Sequence, residues 1–433
     1  MTHRDRMLKA RQLRVLPGMC VALLLSTGAL RAQTGAPIIS TGGSSTTPDA
    51  VFLDVAKISG GTDICTQIQQ AWTALGGKSG VLDARSITGT VTCASDPFSN
   101  ATEGVLLLGN VLIQTSVPWQ IPSHVWVNGL GDPGSFTSQN TVLQAVPGFS
   151  NTGNSTICAA SALVCLGHGS QAFRAQVSNM AIDCNDVQAC GVAAYNGAAQ
   201  EGSWYQGVTL ANAWVAGLEV SLTEFTNNNK QNFFGAVNSG PYHNVSVQYW
   251  QQCSYCTTST VGVLVQNSGT SNLDFGGVVR DFDNFTVSGF NACVGNNDSC
   301  LGAGFMVEGA SVNITNSHVE YYPTSVQIGA GGYNTNGVEI TNMYMSNTNT
   351  GTGVLIFAPS SGYSTGDITI SGLNYGANGP SLYDEVGGNK LTDPFIAFYA
   401  VGHAGGTNSE LKPRVISTSP NVTDGAGTGG NPH

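Results

Sequence analysis

The segment at residues 317–322 combines side chains that could transfer protons with side chains that could hold a sugar. His318 and Glu320 are two residues apart on a predicted β-strand, so both should project from the same face. A carboxylate beside an imidazole can donate and accept protons, and flat aromatic rings can stack on pyranose rings. We therefore predict that His318 and Glu320 are catalytic and that Tyr321 and Tyr322 contact the substrate. The alternative is that His318 and Glu320 are solvated side chains on an outward face, hydrogen-bonded to neighbouring chain.

A second group of candidate residues lies at 280–284. Asp281 and Asp283 share a face if the segment is extended. Paired aspartates could act as acid and base or bind Ca²⁺, and Arg280 could hold the carboxylate of a uronate sugar. Asp281 and Asp283 are thus predicted as catalytic residues, and Arg280 as a substrate-binding residue. The competing interpretation is a turn in which Asp and Asn accept hydrogen bonds from backbone amides.

Two further sets of residues could contribute to a site. Asp183 and Asp186 flank Cys184 and are candidate metal ligands. Trp204, Tyr205 and Trp250 lie in or beside the longest spacers of the chain, where they could act as platforms for sugar rings or pack over an edge of the fold.

These residues must be positioned by a repeated unit. The pentapeptide at 312–316 returns 26 residues later at 338–342 and, more loosely, at 368–372. Its first copy continues into short segments at 317–322 and 325–329, which predicts three strands per repeat. Strands this short cannot bury a face alone, so each turn of chain must lie on the previous one. The predicted fold is all-β, a single-stranded right-handed parallel β-helix with an N-terminal capping helix.

The repeat predicts where successive coils begin, with uneven spacings that indicate inserted loops. The predicted starts are Val177, Val208, Val245, Phe285, Val312, Val338 and Ile368. Asparagines recur near the strand ends and could stack as a ladder of hydrogen-bonded amides. They are Asn179, Asn244, Asn284, Asn316 and Asn342.

The chain is predicted to have four parts. Residues 1–32 are expected to form a signal peptide, because a basic leader precedes an apolar run and a small-residue motif that ends at Ala32. Residues 33–50 are expected to form a flexible linker, 51–400 the β-helix domain and 401–433 a loose C-terminal tail. Within the domain, apolar residues recur on one helical face over 63–75, and this amphipathic helix would cover the open end of the first coil. Thr62 or Asp63 could cap its start.

Charge and cysteine content limit the partners. The chain carries a net charge of −11, and loss of residues 1–32 leaves 9 basic and 25 acidic residues, a net charge of −16. Such a surface repels phosphate backbones, so no nucleic-acid partner is expected, and a polyanionic sugar would need a bridging cation or a local basic spot. The apolar run in the leader is too short to span a membrane. A secreted or periplasmic protein is predicted.

Ten cysteines remain after Cys20, and their spacing indicates disulfides that pin loops. Metal ligation or a redox-active pair at Cys253 and Cys256 is the alternative. Eight of the ten form close pairs in the sequence: Cys158 with Cys165, Cys184 with Cys190, Cys253 with Cys256, and Cys293 with Cys300. The remaining two, Cys65 and Cys93, could pair with each other.

Several segments resemble the pectate-lyase-like superfamily of parallel β-helices. The predicted helix and residues 80–85 (Gly-Val-Leu-Asp-Ala-Arg), 119–122 and 127–131 are similar to its capping helix, its "Gly-Val-Val-Asp" strand and its "Ile-x-Gly-x-Gly" coil, and 179–185 is similar to its "Asn-Leu-Thr-Ile-Asp-Gly-Asn" coil. The resemblance covers roughly residues 50–375 and implies the architecture. It also implies that Asp183 is a turn residue, and the superfamily includes lyases, hydrolases, phage tailspikes and proteins with no known activity. The sharper catalytic signatures of its polygalacturonases are absent from this sequence.

Two functional hypotheses follow. The first is an extracellular enzyme acting on polysaccharide, a lyase or glycoside hydrolase. The second is a non-catalytic surface or carbohydrate-binding β-helix. Two carboxylates in one groove would favour hydrolysis, whereas carboxylates scattered around the stack would favour a scaffold.

Overall fold

The computed structural model describes residues 51–58, 63–131, 140–151, 158, 161–167, 172–197, 202–221, 240–266, 277–295, 299–329, 335–346, 352–357, 365–375, 382–384, 396–400, 415–417 and 422–424. The predicted signal peptide and linker lie outside these residues, as does most of the predicted tail. The described residues form 29 strands, one α-helix and one short 3-10 helix.

The helical elements are the 3-10 helix Val55–Lys57 and α1, Ile64–Leu75. The strands, in chain order, are β1 Val51–Asp54, β2 Gly80–Ala84, β3 Gly89–Cys93, β4 Gly104–Leu108, β5 Val111–Thr115, β6 Trp119–Ile121, β7 Val125–Asn128, β8 Val142–Ala145, β9 Ala162–Leu166, β10 Gln176–Asp183, β11 Val192–Asn196, β12 Trp204–Ala211, β13 Ala216–Ser221, β14 Tyr242–Gln248 and β15 Val261–Gln266. They continue as β16 Gly277–Asp283, β17 Thr286–Ser288, β18 Ala303–Glu308, β19 Ala310–Thr315, β20 His318–Glu320, β21 Thr324–Ile328, β22 Thr335–Thr341, β23 Tyr344–Ser346, β24 Thr352–Ile356, β25 Thr365–Tyr375, β26 Leu382–Asp384, β27 Ile396–Ala400, β28 Val415–Ser417 and β29 Val422–Asp424.

The strands stack on three faces, and every pairing is parallel. The first face runs β1, β2, β4, β7, β10, β12, β14, β16, β19, β22, β25, β27, β29. The second runs β3, β5, β8, the later halves of β10, β12 and β14, then β17, β20, β23 and the end of β25. The third runs β6, β9, β11, β13, β15, β18, β21, β24, β26, β28. From β4 to β26 the chain visits the three faces in turn, which confirms the predicted parallel β-helix.

The register of the repeat is confirmed in part. Val312 pairs with Val338, and Val338 pairs with Ile368, as the recurring pentapeptide predicts. Val208 likewise pairs with Val245, whereas the predicted start at Val177 is out of register, since Val177 pairs with Tyr205 rather than with Val208. The stack also extends further than predicted, because β28 and β29 lie beyond residue 400 and pair with β26 and β27.

The capping helix α1 lies where the apolar periodicity predicts it. The Asp63 carboxylate accepts a hydrogen bond from the Thr66 backbone N–H at 2.9 Å and so caps the first turn. Gly76 ends the helix with a φ of 63°, in the left-handed region that glycine adopts without strain. One face of the helix is buried: Ile64, Cys65, Ile68, Ala71, Trp72 and Leu75.

The core is a column of apolar side chains inside the coils. On β19, Val312 and Ile314 point inward and alternate with half-buried polar residues, as a strand with one face on the core requires. Aromatic rings stack from coil to coil within this column, with ring centroids 6.5 Å apart for Tyr205 and Tyr242 and 5.2 Å apart for Tyr242 and Phe282. Burial of these faces against each other, which no single coil could achieve, stabilises the stack.

The corner between the first and second faces is built by the predicted asparagines. Each of the five adopts a φ between 49° and 56°, a left-handed conformation that Asn tolerates better than most residues. The side-chain amide of Asn342 donates to the carbonyl oxygen of Asn316 at 2.7 Å, and Asn284 donates to Asn244 in the same way. Gly207 and Gly372 occupy this corner in two other coils, with φ of 59° and 64°.

Five disulfides join the pairs that the cysteine spacing indicates. The bond between Cys65 and Cys93 ties α1 to β3, so the cap is covalently attached to the first coil. No helix within the described residues combines the length and apolarity needed to cross a membrane.

Candidate functional site

Strand β20 places the two principal candidates on the outside of the second face. Val319 points into the core and is fully buried. His318 and Glu320, on either side of it, project outward with side chains 34% and 29% exposed. The prediction that they share a face therefore agrees with the structure.

Glu320 is held in place by the preceding coil. Ser288 of β17 is its register partner and donates a hydrogen bond from Oγ to Oε1 of Glu320 at 2.7 Å. The other carboxylate oxygen, Oε2, lies 3.6 Å from Nε2 of His318. This separation is too long for a hydrogen bond, so the two side chains interact through charge only when the imidazole is protonated.

His318 also packs against the following coil. Its register partner on β23 is Tyr344, and the two rings meet edge to face with centroids 4.6 Å apart. Tyr344 is absent from the sequence-based predictions, although the signal was there. It follows His318 by 26 residues, the same offset that relates Val312 to Val338.

A shallow, open pocket of about 350 Å³ lies where these residues meet the asparagine corner. Its lining mixes amides, a hydroxyl, an imidazole and a phenol, with no carboxylate among them: Asn316, Ser317, His318, Asn342, Met343 and Tyr344. We call it the corner pocket. Polar groups that can donate and accept hydrogen bonds beside an aromatic ring are what binding of a sugar hydroxyl requires.

Burial controls the charge of His318. Removal of the imidazole from water lowers its pKa below 6.5, and the nearby Glu320 carboxylate opposes the shift without cancelling it. Nε2 is buried and has no hydrogen-bond partner among the described residues. The imidazole is therefore neutral at neutral pH, with one nitrogen able to donate a hydrogen bond and the other able to accept one.

The second candidate cluster lies on the first face, across the asparagine corner. Oδ2 of Asp283 is 2.8 Å from Nδ1 of His243, and its Oδ1 accepts hydrogen bonds from Thr315 at 2.9 Å and Asn316 at 2.8 Å. These donors, Asn316 foremost, lower the pKa of Asp283, so this carboxyl stays ionised and is poorly suited to act as a general acid. His243 was missed by the sequence analysis because its partner is 40 residues away.

Asp281 shares the outward face with Asp283 and accepts a hydrogen bond from Asn313 at 3.0 Å. The side chain of Arg280 lies outside the described residues. The four predicted catalytic residues thus form two groups on adjacent faces, and Asn316 belongs to both, since it binds Asp283 and lines the corner pocket.

The prediction that Asp183 and Asp186 bind a metal is not supported. Asp183 is 1% exposed, and its two oxygens accept hydrogen bonds from Gln144 at 2.8 Å and Asn212 at 2.7 Å. Asp186 accepts a hydrogen bond from the Ser254 backbone N–H at 2.9 Å. No group of three or more His, Cys, Asp or Glu side chains in the described part of the chain is placed to hold a metal ion.

Two of the predicted sugar contacts are wrong because they are buried. Tyr205 and Tyr322 are both fully inaccessible to solvent. The hydroxyl of Tyr205 donates to the Tyr195 carbonyl at 2.9 Å within the core. Tyr322 turns inward because Tyr321, which precedes it, has a φ of 56° and breaks the alternation of β20. Trp204, Trp250 and Tyr321 are partly exposed.

Glu308 is an outward carboxyl that the sequence analysis missed. Glu308 ends β18 on the third face, and its burial raises the pKa of its carboxyl. A carboxyl whose pKa is raised can hold a proton closer to neutral pH, which is a property of general acids.

Comparison with known proteins yields structural neighbours only. No family model matches the chain, and neither does any curated protein. Among solved structures, the chain is similar to Escherichia coli YbhC, with 10% sequence identity and a TM-score of 0.30. The alignment covers 86% of this chain and 84% of YbhC. The A-module of the mannuronan C-5 epimerase AlgE6 from Azotobacter vinelandii is 14% identical with a TM-score of 0.30, and covers 86% of this chain and 98% of its own. The parallel pairing of successive strands identifies the fold independently of these similarities.

Proposed function

We propose that the protein is exported and binds an extracellular polysaccharide at the corner pocket. The observation that carries the proposal is the pairing of His318 with Tyr344 at an open pocket on the outside of the stack. A neutral imidazole, two amides and an aromatic ring offer hydrogen bonds and a stacking surface to a sugar without any formal charge. Five disulfides favour an oxidising compartment, in keeping with export.

Binding to a panel of neutral and anionic polysaccharides, measured by affinity electrophoresis and calorimetry, tests this function. The intact protein should bind at least one of them. His318→Gln and Tyr344→Ala should each weaken that binding about tenfold or more, the usual effect of truncating an anchor residue. Thr90→Ala provides a matched control, because Thr90 is exposed on β3 of the same face and should not alter binding. Retention of full affinity by both pocket variants for every polysaccharide that the intact protein binds would contradict the proposal.

Acid–base catalysis on the same polysaccharide is a second candidate function. It is favoured by the neutral His318 imidazole, which could accept a proton, and by the Glu320 carboxylate 3.6 Å from it, which would stabilise the resulting imidazolium. Screening the panel for reducing ends and for unsaturated uronides tests this activity. Glu320→Gln should abolish product release if Glu320 takes part. If the intact protein released no product, catalysis would be contradicted and only the proposed binding function would remain.

A further inference from the structure

A continuous row of outward side chains on the first face extends over six consecutive coils. The row follows from the strand register, in which each member pairs with the next. Its members are Phe52, Val81, Val105, Trp126, Gln176 and Trp204, of which Gln176 is buried and donates a hydrogen bond to the Gly202 carbonyl. Three are aromatic, and we call Phe52, Trp126 and Trp204 the aromatic strip. Nothing in the proposed function uses this surface, which lies on a different face from the corner pocket.

The aromatic rings of the strip differ in exposure. Phe52 is 51% exposed and Trp126 is 44% exposed, while Trp204 is only partly exposed and packs with part of its side chain against the core. Large aromatic side chains are seldom left in water in a row, and such a row is typical of a binding surface. Trp126 is also fixed in orientation, because its indole N–H donates a hydrogen bond to the Arg174 carbonyl at 3.0 Å. That bond satisfies the only polar atom of the ring and leaves the ring itself available for stacking.

The spacing of the rings suits an extended chain that lies along the stack. Neighbouring parallel strands are ~4.8 Å apart, so Trp126 and Trp204, two pairings apart, are separated by ~9.5 Å, and Phe52 and Trp126, three apart, by ~14 Å. Separations of this size correspond to a few linked pyranose rings. A single glycan chain could therefore stack on more than one ring of the strip.

The row beside the strip is polar except for Leu107 and carries little net charge. Asn128, Ser178 and Gln206 are consecutive members of it and are all uncharged. Nearer the N-terminus the row contains Asp54 and Asp83, and each is neutralised locally: Lys57 lies 3.2 Å from Asp54, and Arg85 lies 2.8 Å from Asp83. Hydroxyls and amides suit sugar hydroxyl groups, and neither row contains an unpaired cation to attract a uronate; the exposed Arg174 lies beside Trp126 and Trp204 but outside both rows.

We propose that the aromatic strip binds a neutral polysaccharide chain running parallel to the stack. The proposal extends the proposed function by naming a second surface and a ligand class. Stacking on Phe52, Trp126 and Trp204 supplies the affinity, and hydrogen bonds from Asn128, Ser178 and Gln206 orient the chain.

Calorimetric titration of the full chain with cellohexaose, xylohexaose, mannohexaose and, as the anionic comparison, hexagalacturonate tests the strip. At least one neutral hexasaccharide should bind, and should bind more tightly than hexagalacturonate. Trp126→Ala should weaken this binding about tenfold or more, whereas Trp126→Phe, which keeps a stacking ring, should lose less. Tyr255→Ala is the matched control, since Tyr255 is 37% exposed on a turn outside the strip. Because Trp126 is exposed, its truncation should leave the thermal unfolding midpoint nearly unchanged.

The variants separate the two surfaces. Loss of neutral-hexasaccharide binding in Trp126→Ala with retention in His318→Gln supports the strip, whatever becomes of the corner pocket. Unaltered binding in Trp126→Ala overturns the strip, even when His318→Gln is impaired. Failure of all three neutral hexasaccharides to bind also overturns it, as does a Trp126→Ala variant that alters only the oligomeric state, which would make the strip a contact between copies of the chain.

Discussion

His318 and Tyr344 meet edge to face, with ring centroids 4.6 Å apart, although 26 residues separate them in the sequence. The parallel register brings them together, because each coil places its outward residues directly over those of the previous coil. Tyr344 covers one side of the imidazole, and Glu320 approaches it from within its own strand. The properties of the candidate site follow from this placement.

The pKa of His318 should respond in opposite directions to its two neighbours. Tyr344→Ala exposes the imidazole to water, so its lowered pKa should rise toward the ordinary value. Glu320→Gln removes the charge that favours the imidazolium, so the pKa should fall further. Titration of the histidine ring signals by NMR measures both changes, with His318→Gln used to assign the signal among the seven histidines. An identical pKa in all three proteins would contradict the electrostatic account.

Folding stability should depend on the same imidazole. Its pKa is lower in the folded protein than the 6.5 of the unfolded chain, so the unfolded state binds more protons between the two values. The stability contributed by neutral His318 is fully present above pH 6.5 and is lost as the pH falls through the folded pKa. Urea unfolding as a function of pH should show this slope in the intact protein and less of it in His318→Gln. Equal slopes would rule out a buried neutral imidazole.

Asn316 should contribute to stability through both its backbone and its side chain. Its φ is 49°, and its amide group binds Asp283 and Asn342. Asn316→Ala loses both hydrogen bonds and places alanine in a left-handed conformation, which should cost about 2–3 kcal/mol of the free energy of unfolding. Asn316→Gly loses the bonds without that strain and should cost about 1 kcal/mol less than the alanine variant.

The side-chain role of Asn316 has a separate readout. Asn316 is the main cause of the lowered pKa of Asp283, so either variant should raise that pKa. Asn313→Ala is the matched control, since Asn313 lies within β19 and gives up only its bond to Asp281. If glycine and alanine at position 316 proved equally stable, the left-handed corner would not constrain this residue.

Asp96 should make the protein less stable as the pH rises from about 4 to 6. Burial raises the pKa of its carboxyl from 3.8 to about 6, so in this range the folded state holds a proton that the unfolded state has lost. The cost should reach about 3 kcal/mol above pH 6, since each unit of pKa shift corresponds to ~1.4 kcal/mol. Asp96→Asn keeps an oxygen that can accept hydrogen bonds from the backbone N–H groups of Phe98 and Gln120. It should remove this dependence of stability on pH. Chemical unfolding at several pH values compares the two proteins; parallel curves would contradict the prediction.

The sequence was sufficient to predict the architecture where residues repeat at a fixed offset. The match of Val312 to Val338 and Ile368 gives the register of three coils, and the apolar face of α1 gives the cap. The predicted register is wrong at Val177, whose partner in the next coil is Tyr205. Both side chains are buried in the same inward column, but an aromatic ring follows a β-branched side chain there, so the two positions do not look alike in the sequence. Where an inward position is buried in every coil but is filled by side chains of different shape, the sequence shows no repeat at that position.

The site was predicted less completely than the fold. His318 and Glu320 share a face because alternation within a strand is local. Tyr322 is buried because Tyr321 has a positive φ, which breaks the alternation of the strand. The sequence does not predict this conformation, since tyrosine seldom adopts a positive φ. Contacts such as those of His243 with Asp283 depend on register between coils and on inserted loops of unequal length, so spacing alone could not reveal them.

The most direct test of the central claim is the NMR signal of the His318 ring in the Trp126→Ala protein, whose aromatic strip is disabled, during titration with whichever oligosaccharide of the panel still binds. Saturation should shift the His318 signal, and adding Tyr344→Ala should raise the ligand concentration required about tenfold. A ligand that saturates the Trp126→Ala protein without moving the His318 signal would place binding elsewhere and contradict a sugar site at the corner pocket.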